Sequence, residues 1–322
     1  MKTMKWLLRR EYWEHKGAFV WAPLAIAAAM VLLLGGGFAY STAYGDIQNI
    51  RFEGHGLVSV NGLPPALRYK IAHIAATGYL GIAAPLFVVL SVVVFFYCLS
   101  ALHDDRRDRS ILFWKSLPLS DRDTVLSKVI TALCVAPLIT IVIGVATSLV
   151  LLVIGMIAAA GKGVNLFAPV LMEPNLYLSP LYLLAFLPLY VLWALPTVGW
   201  LLLVSSWAKS KVFLWAVGVP LVSLLLLTWL NFLLGAVSPM RFDIDFLGEQ
   251  VVGRMLGGLL PGMWMSEVDG ARLGQMREGL DSLLVLGESY RTLATPGVWI
   301  GVIAGVAMIF GAIRLRRWRD EG

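Results

Sequence analysis

"PLFVVLSVVVFFYCLSALHDDRRDRSILFWKSLPLSDRDTVLSKVITALCVAPLITIVIG", residues 85 to 144, decides the fold, because it places a densely charged segment between two long uncharged runs. Residues 102 to 128 carry eleven charged side chains, although only 14% of the 322 residues in the chain are charged. Each flanking run has the ~20 apolar residues that a helix needs to cross ~30 Å of hydrocarbon. The stretch therefore predicts two membrane-spanning helices joined by a charged loop.

The rest of the chain repeats this pattern. Hydrophobic residues make up 59% of the sequence, whereas roughly half is usual for a soluble domain. Runs without Asp, Glu, Lys or Arg cover residues 17–45, 71–102, 129–161, 174–208, 212–240 and 292–313. We therefore predict an all-α membrane protein with a single membrane domain and six spans, at about 18–42, 76–101, 129–158, 180–207, 212–236 and 294–314.

The distribution of basic residues predicts the orientation of the chain in the membrane. Lys and Arg favour cytoplasmic loops. Of the 26 basic residues, 17 fall in the N-terminal segment, the 102–128 loop, the 208–212 turn and the C-terminus, and nine fall on the opposite side. We expect both termini in the cytoplasm and an external loop at 237–293. The net charge of +6 thus reflects topology and does not indicate nucleic-acid binding.

The N-terminal segment, residues 1–17, has a partly apolar helical face made by Met4, Leu7, Leu8 and Tyr12. Glu11 interrupts that face. We predict an interfacial helix with Trp6 and Trp13 at the depth of the lipid headgroups, and the alternative is an unstructured basic lead-in.

The spans contain features that affect their shape and packing. Proline removes a backbone donor and can kink a helix, and Pro188 and Pro196 make the fourth span the strongest candidate for a bend. Pro23, Pro85, Pro137 and Pro220 also lie within spans. The last span has two small-residue frames, Gly301 with Gly305 and Ala307 with Gly311, which allow close helix packing.

The stretch "FLGEQVVGRMLGGLLPGMWMSEV", residues 246–268, is too apolar for a solvated loop and too interrupted to span the membrane. A re-entrant or interfacial helical hairpin, broken at Pro261-Gly262, fits this composition. We assign it a role in closing the external exit, with these candidate gate residues: Met255, Leu259, Pro261, Gly262 and Trp264.

A search for catalytic and cofactor motifs gives no candidate. The string "GMIAAAGKG", residues 155–163, has five residues between its glycines and Gly163 where a phosphate-binding loop needs Ser or Thr. The HExxH, GxSxG and CxxC patterns are lacking, and the four histidines are scattered. We predict no catalytic, metal or cofactor residues in this chain. Because the predicted spans carry no charged side chain to pair with a coupling ion, any transport would draw its energy from elsewhere.

The charged loop contains its own helical signals. Ile111, Trp114 and Leu117 recur at three-residue intervals, and Pro118 ends this run. Ser120 then occupies an N-cap position with Asp123 three residues later, which predicts a helix from about Asp121 into span three. The apolar stripe suits either a helix lying on lipid headgroups or a docking surface with a charged rim for a soluble partner.

The order of these parts resembles the membrane subunit of an ABC exporter, the ABC-2 type permease family. "SILFWKSLPLSDRDTVLSK", residues 110–128, is similar to the family's hydroxyl residue, apolar helix, Leu-Pro-x-Ser and Lys opening span three, and residues 7–19 are similar to its elbow helix. Arg109 departs from the glycine that many members have before the hydroxyl residue.

The resemblance implies a function that composition alone does not. Residues 109–118 would form a coupling helix seated on a separate ATPase subunit, present in two copies, that binds ATP and magnesium. Two permease chains, identical or different, would form the path in a bacterial cytoplasmic membrane. The expected coupling residues are Arg109, Ser110, Ile111, Leu112, Phe113, Trp114, Lys115, Ser116, Leu117 and Pro118. The alternative is a non-transporting scaffold or regulator that holds a soluble partner through the 102–128 loop.

Overall fold

The protein is seen in a computed structural model that describes residues 2–44, 49–52, 56–59, 64–107, 120–234, 243, 248, 252–268 and 282–318. Within these residues, six helices are long and apolar enough to cross a membrane, as predicted. Spans one to six are Gly17–Tyr44, Pro65–Arg107, Asp121–Gly161, Pro174–Trp207, Leu214–Leu234 and Pro296–Trp318.

The spans are assembled from shorter helical segments. The N-terminal helix is Lys2–Glu14. The α-helical segments of the spans are Ala22–Tyr44, Pro65–Gly78, Ala84–Ala101, His103–Arg107, Asp121–Ile130, Ala136–Gly161, Pro174–Ala185, Leu187–Trp207, Val219–Leu234 and Pro296–Trp318. The remaining segments are Phe167–Leu171, Arg254–Gly257, Ser282–Arg291 and the 3₁₀ turns Tyr79–Ala83, Met263–Glu267 and Thr292–Ala294.

Proline explains three widened turns in the spans. The π-helical segments Gly17–Trp21, Thr131–Val135 and Leu214–Gly218 each end two residues before a proline, namely Pro23, Pro137 and Pro220. A proline ring clashes with the carbonyl four residues earlier and lacks an N–H to bond it. A π turn at that point accommodates both effects without ending the helix.

The fourth span is interrupted close to the predicted position. The segments Pro174–Ala185 and Leu187–Trp207 meet at Phe186, two residues before Pro188. Pro196, in contrast, lies inside the continuous second segment. The break is therefore associated with Pro188 and not with Pro196.

Spans four and six pack with their backbones in contact. A Cβ added to Gly199 would lie 2.6 Å from the carbonyl oxygen of Gly305, and one added to Gly305 would lie 2.9 Å from the backbone of Leu195. Such close approach requires residues without side chains. Gly301 also faces span four, where an added Cβ would lie 3.2 Å from Pro196, so the predicted frame of Gly301 and Gly305 is confirmed as a packing surface. In the second frame, Ala307 is exposed.

The main core joins the N-terminal end of span one with spans two, three, four and six. A second apolar cluster lies at the other end of the bundle, where Leu67 and Tyr79 of span two meet Met156 of span three, Val170 and Leu176. Span five contributes little to these cores. Only 6% of its most apolar 18-residue stretch is buried inside the protein, against 39% of the corresponding stretches of spans two, three and four. Its apolar surface faces outward, as expected for a helix in lipid.

The described structure is consistent with the all-α prediction apart from one short hairpin. Strands Asn49–Phe52 and Gly56–Ser59 pair in antiparallel fashion, with Ile50 opposite Val58. This segment lies outside the uncharged runs, and its β-branched residues around Gly54 are typical signals of a hairpin.

Candidate functional site

The predicted coupling residues, Arg109 to Pro118, lie outside the described residues, but both flanks of their segment are described. His103–Arg107 continues span two beyond a single non-helical residue, Leu102. Asp121–Ile130 opens span three on the far side. The geometry of these flanks is therefore what the structure contributes to the site.

The start of span three follows from its sequence, and the predicted N-cap is confirmed. Ser120 has extended backbone angles (φ −81°, ψ 142°), and its Oγ accepts a hydrogen bond from the Asp123 N–H at 3.0 Å. The carboxylates of Asp121 and Asp123 lie in the first turn, where the helix dipole favours negative charge.

A buried ion pair connects span three with the N-terminal helix. Lys128 Nζ lies 3.1 Å from Glu11 Oε1 and 3.6 Å from Asp105 Oδ2. Glu11 and Lys128 are 0% and 1% exposed, and the Tyr97 hydroxyl donates to Glu11 Oε2 at 2.8 Å. Removing one partner of such a pair leaves an uncompensated charge and typically costs about 3–5 kcal/mol. The Glu11–Lys128 pair therefore fixes how the N-terminal helix sits on the spans.

Arg316, near the end of span six, joins both flanks of residues 108–119. Its Nη1 lies 3.1 Å from Asp105 Oδ2 and its Nε lies 3.3 Å from Asp121 Oδ1. Arg316 is 5% exposed, so these pairs are shielded from water and screened less than surface pairs. Spans two, three and six thus meet at one guanidinium.

Arg10 extends this cluster toward the N-terminal helix. Its Nε lies 2.8 Å from Glu14 Oε1, and its Nη2 lies 3.8 Å from Asp105 Oδ1. Burial opposes the charge of Arg10, but the Glu14, Glu11 and Asp105 carboxylates outweigh burial and raise the pKa of Arg10 above its ordinary value. We call Arg10, Glu11, Asp105, Asp121, Lys128 and Arg316 the polar network.

One group within this region has the composition of a metal site. Glu11, Glu14 and His15 offer ligand atoms within 4.8 Å of one another. The carboxylates of Glu11 and Glu14 are, however, already paired with Lys128 and Arg10. Ion pairing is therefore the better description of these acids.

The turn between spans four and five lies at the same end of the bundle as the polar network. Ser205 Oγ accepts hydrogen bonds from the N–H groups of Leu102 and His103, and Arg106 Nη2 donates to the carbonyl oxygens of Ser205 and Ala208. Arg106 is half-buried. It is therefore a structural residue, and not part of the charged rim that the loop sequence indicates.

The 252–268 hairpin contains the predicted gate residues and packs among spans two, four and six. Arg254–Gly257 and the 3₁₀ turn Met263–Glu267 are separated by the predicted break, where Gly262 has a φ of +93°. Leu259 is 2% exposed, and its carbonyl accepts from Ser91 Oγ of span two at 2.9 Å. Trp264 is 5% exposed and stacks on Phe186 of span four.

Arg254 anchors this hairpin between spans four and six. Its guanidinium lies over the ring of Trp193 at 4.3 Å, and its Nη1 donates to the Gly297 carbonyl at 2.6 Å. The Thr197 hydroxyl donates to the Arg254 carbonyl. Gly258 is needed beside them, because an added Cβ would lie 2.6 Å from Thr197 Oγ1 and 2.8 Å from the Trp193 carbonyl oxygen. Cation–π contact and close backbone approach together hold the hairpin in place.

The structure brings the candidate gate residues together only in part. Leu259 and Trp264 both belong to the main core, whereas Met255, Pro261 and Gly262 are half-buried. A cavity of about 360 Å³ lies beside the contact between the hairpin and span two and is lined by Ser91, Phe95, Leu256, Leu259 and Met263, among others. Two of the five candidate residues therefore pack as fixed core, and three lie at the hairpin surface.

Sequence reasoning missed the polar network as a unit. Glu11 and Lys128 are 117 positions apart in sequence, and Asp105 and Arg316 are 211 apart. One signal was present, since Glu11 interrupts the apolar face of the N-terminal helix, and an acid on a buried face requires a base beside it.

The six spans define a multi-pass membrane protein. No protein-family model, curated protein or solved structure matches this chain. Its function must therefore be argued from its own residues.

Proposed function

We propose that this chain is the permease subunit of an ATP-binding cassette exporter in a bacterial cytoplasmic membrane. It forms the path with a second permease chain and is driven by separate ATPase subunits that bind ATP and magnesium. The observation that carries the proposal is that both flanks of residues 108–119 are held in one buried polar network. Residues 110–128 resemble the ABC-2 coupling segment, and this resemblance is the reason for assigning the network a role in coupling.

The polar network offers a route for force from the coupling segment into the membrane. Asp105 and Asp121 flank the segment, and Arg316 binds both of them at 3.1 and 3.3 Å. Lys128 pairs with Glu11 and so connects the N-terminal helix to the same network. A displacement of the segment by the ATPase would therefore move spans two, three and six together, because separating them breaks shielded ion pairs.

The hairpin at 252–268 acts as the external gate in this proposal. Arg254 bonds Gly297 at the start of span six, while Arg316 lies in the polar network near its end. At 1.5 Å per residue, the 19 positions from Gly297 to Arg316 cover about 28 Å, close to the thickness of the hydrocarbon core. Span six thus links the coupling end to the gate end directly.

Partner capture and a single substitution test the proposal. Affinity purification of the full chain from its native host is expected to recover an ATPase subunit. Trp114→Ala is expected to weaken that association by about 2 kcal/mol, or about thirty-fold, because large aromatic side chains dominate such contacts. Trp6→Ala is the matched control, since Trp6 is 68% exposed on the N-terminal helix at the same end.

The outcomes separate the exporter from the scaffold alternative. Recovery of a soluble partner without ATPase activity would favour a scaffold or regulatory subunit. Full partner binding and full ATP turnover by Trp114→Ala would refute the coupling role assigned to that residue.

A further inference from the structure

A groove of about 540 Å³ lies between the start of span three and the end of span six. Arg122 lines it from span three, and Arg314 and Arg317 line it from span six. Arg314 and Arg317 are exposed, in contrast to buried Arg316 between them. The last turns of span six therefore direct one arginine into the polar network and two into this groove.

The span-six wall of the groove changes from apolar to basic along the helix. Phe310, Ile313, Arg314, Arg317 and Trp318 have the spacing of a single helical face. Phe310 is 63% exposed and lies seven residues, or about 10 Å, nearer the membrane centre than Arg317. Trp318 is 71% exposed at the level where tryptophan favours the membrane interface.

The polar end of the groove carries excess positive charge. Among the described residues that line it, Asp121 is the only acid, and Arg316 already binds its carboxylate at 3.3 Å. Arginine binds phosphate oxygens through two parallel N–H groups. Three arginines lining one groove therefore favour a ligand with a phosphate group there.

We propose that this groove binds one anionic phospholipid, with its phosphate at Arg122, Arg314 and Arg317 and an acyl chain along Phe310 and Ile313. The apolar-to-basic order of the wall matches the order of groups in a phospholipid. Basic pockets between membrane helices are known sites for anionic headgroups. An acidic protein segment would use the arginines but would leave the exposed Phe310 ring without a counterpart. The inference does not depend on the exporter proposal, because it concerns only the groove.

Native mass spectrometry of the purified full chain tests the site with phosphatidylglycerol and phosphatidylcholine of identical acyl chains. The wild-type chain is expected to prefer phosphatidylglycerol. Arg314→Gln combined with Arg317→Gln is expected to weaken phosphatidylglycerol binding about thirty-fold, the effect of two basic residues at an anionic headgroup. Binding of phosphatidylcholine is expected to change far less. Both arginines are exposed, so the fold is expected to survive, which size-exclusion chromatography checks.

A matched control removes equal charge elsewhere at the same end. Arg107→Gln with Lys209→Gln changes two exposed basic residues that do not line the groove, and it is expected to retain phosphatidylglycerol binding. Phe310→Ser is expected to weaken binding of both lipids, because it removes apolar contact with the acyl chain.

Three results would overturn the proposal. One is equal loss of phosphatidylglycerol in the groove variant and in the control. Another is full displacement of bound lipid by soluble glycerol phosphate, which would make the groove a site for free anions. The third is unchanged lipid binding together with loss of a co-purified protein, which would make it a protein contact.

Discussion

Replacing Lys128 with methionine is the sharpest test of the polar network. Lys128 is 1% exposed and lies 3.1 Å from Glu11 and 3.6 Å from Asp105. Lys128→Met removes the ammonium group that lies 3.1 Å from the 0% exposed Glu11 carboxylate, while the hydrogen bond from the Tyr97 hydroxyl remains. Breaking a buried pair on one side costs about 3–5 kcal/mol, and we expect a loss of that size.

The double variant distinguishes an unpaired charge from a simple packing defect. Glu11→Leu with Lys128→Met replaces the pair by apolar side chains, and such replacements are often neutral or stabilising. We therefore expect the double variant to recover most of the stability that Lys128→Met loses.

The assay is the free energy of unfolding of the full chain, from titration with a denaturing detergent in mixed micelles. Arg291→Gln is the control, because Arg291 pairs with Glu288 while 66% of its side chain is exposed, and exposed pairs contribute ~0–1 kcal/mol. The reasoning is refuted if Lys128→Met costs no more than this control, or if the double variant is as unstable as the single one.

Three further predictions use substitutions along the spans and loops. Gly305→Ala is expected to destabilise the chain by about 1–3 kcal/mol, measured by thermal unfolding, because its Cβ would meet the span-four backbone at 2.9 Å. Gly36→Ala is the control, since Gly36 has open space around it. Gly258→Ala is expected to loosen the 252–268 hairpin, seen as faster hydrogen exchange there, and unchanged exchange would contradict its packing. Cysteines placed at 46–64, before span two begins at Pro65, are expected to react with an impermeant reagent outside intact cells. Labelling at position 107 instead would reverse the proposed topology.

The number of spans could be predicted from the sequence because it depends on composition over long windows. An uncharged run of sufficient length has few alternatives to a membrane helix, and the described part of the chain contains six such helices. The Ser120 cap was equally readable, since capping depends on residues three positions apart. Local and compositional signals were thus sufficient to predict the fold class and the start of span three.

The partners of the buried charges could not be predicted in the same way. Helical phase places Glu11 on the partly apolar face of the N-terminal helix, but it does not identify Lys128, which comes from a helix 117 residues later. The hairpin anchor presents the same problem. Arg254 reads as a loop charge in sequence, and only the packing of spans four and six places it over Trp193.

The charges of the polar network also explain the register of spans two, three and six along one another, which apolar packing alone would leave open. Apolar side chains tolerate sliding of one helix along another, whereas an ion pair is satisfied only at a narrow range of positions. Arg316 requires Asp105 and Asp121 together, so spans two, three and six have one preferred register at this end. Because the same end carries both flanks of residues 108–119, a partner bound to that segment would act on three spans that are held in one register.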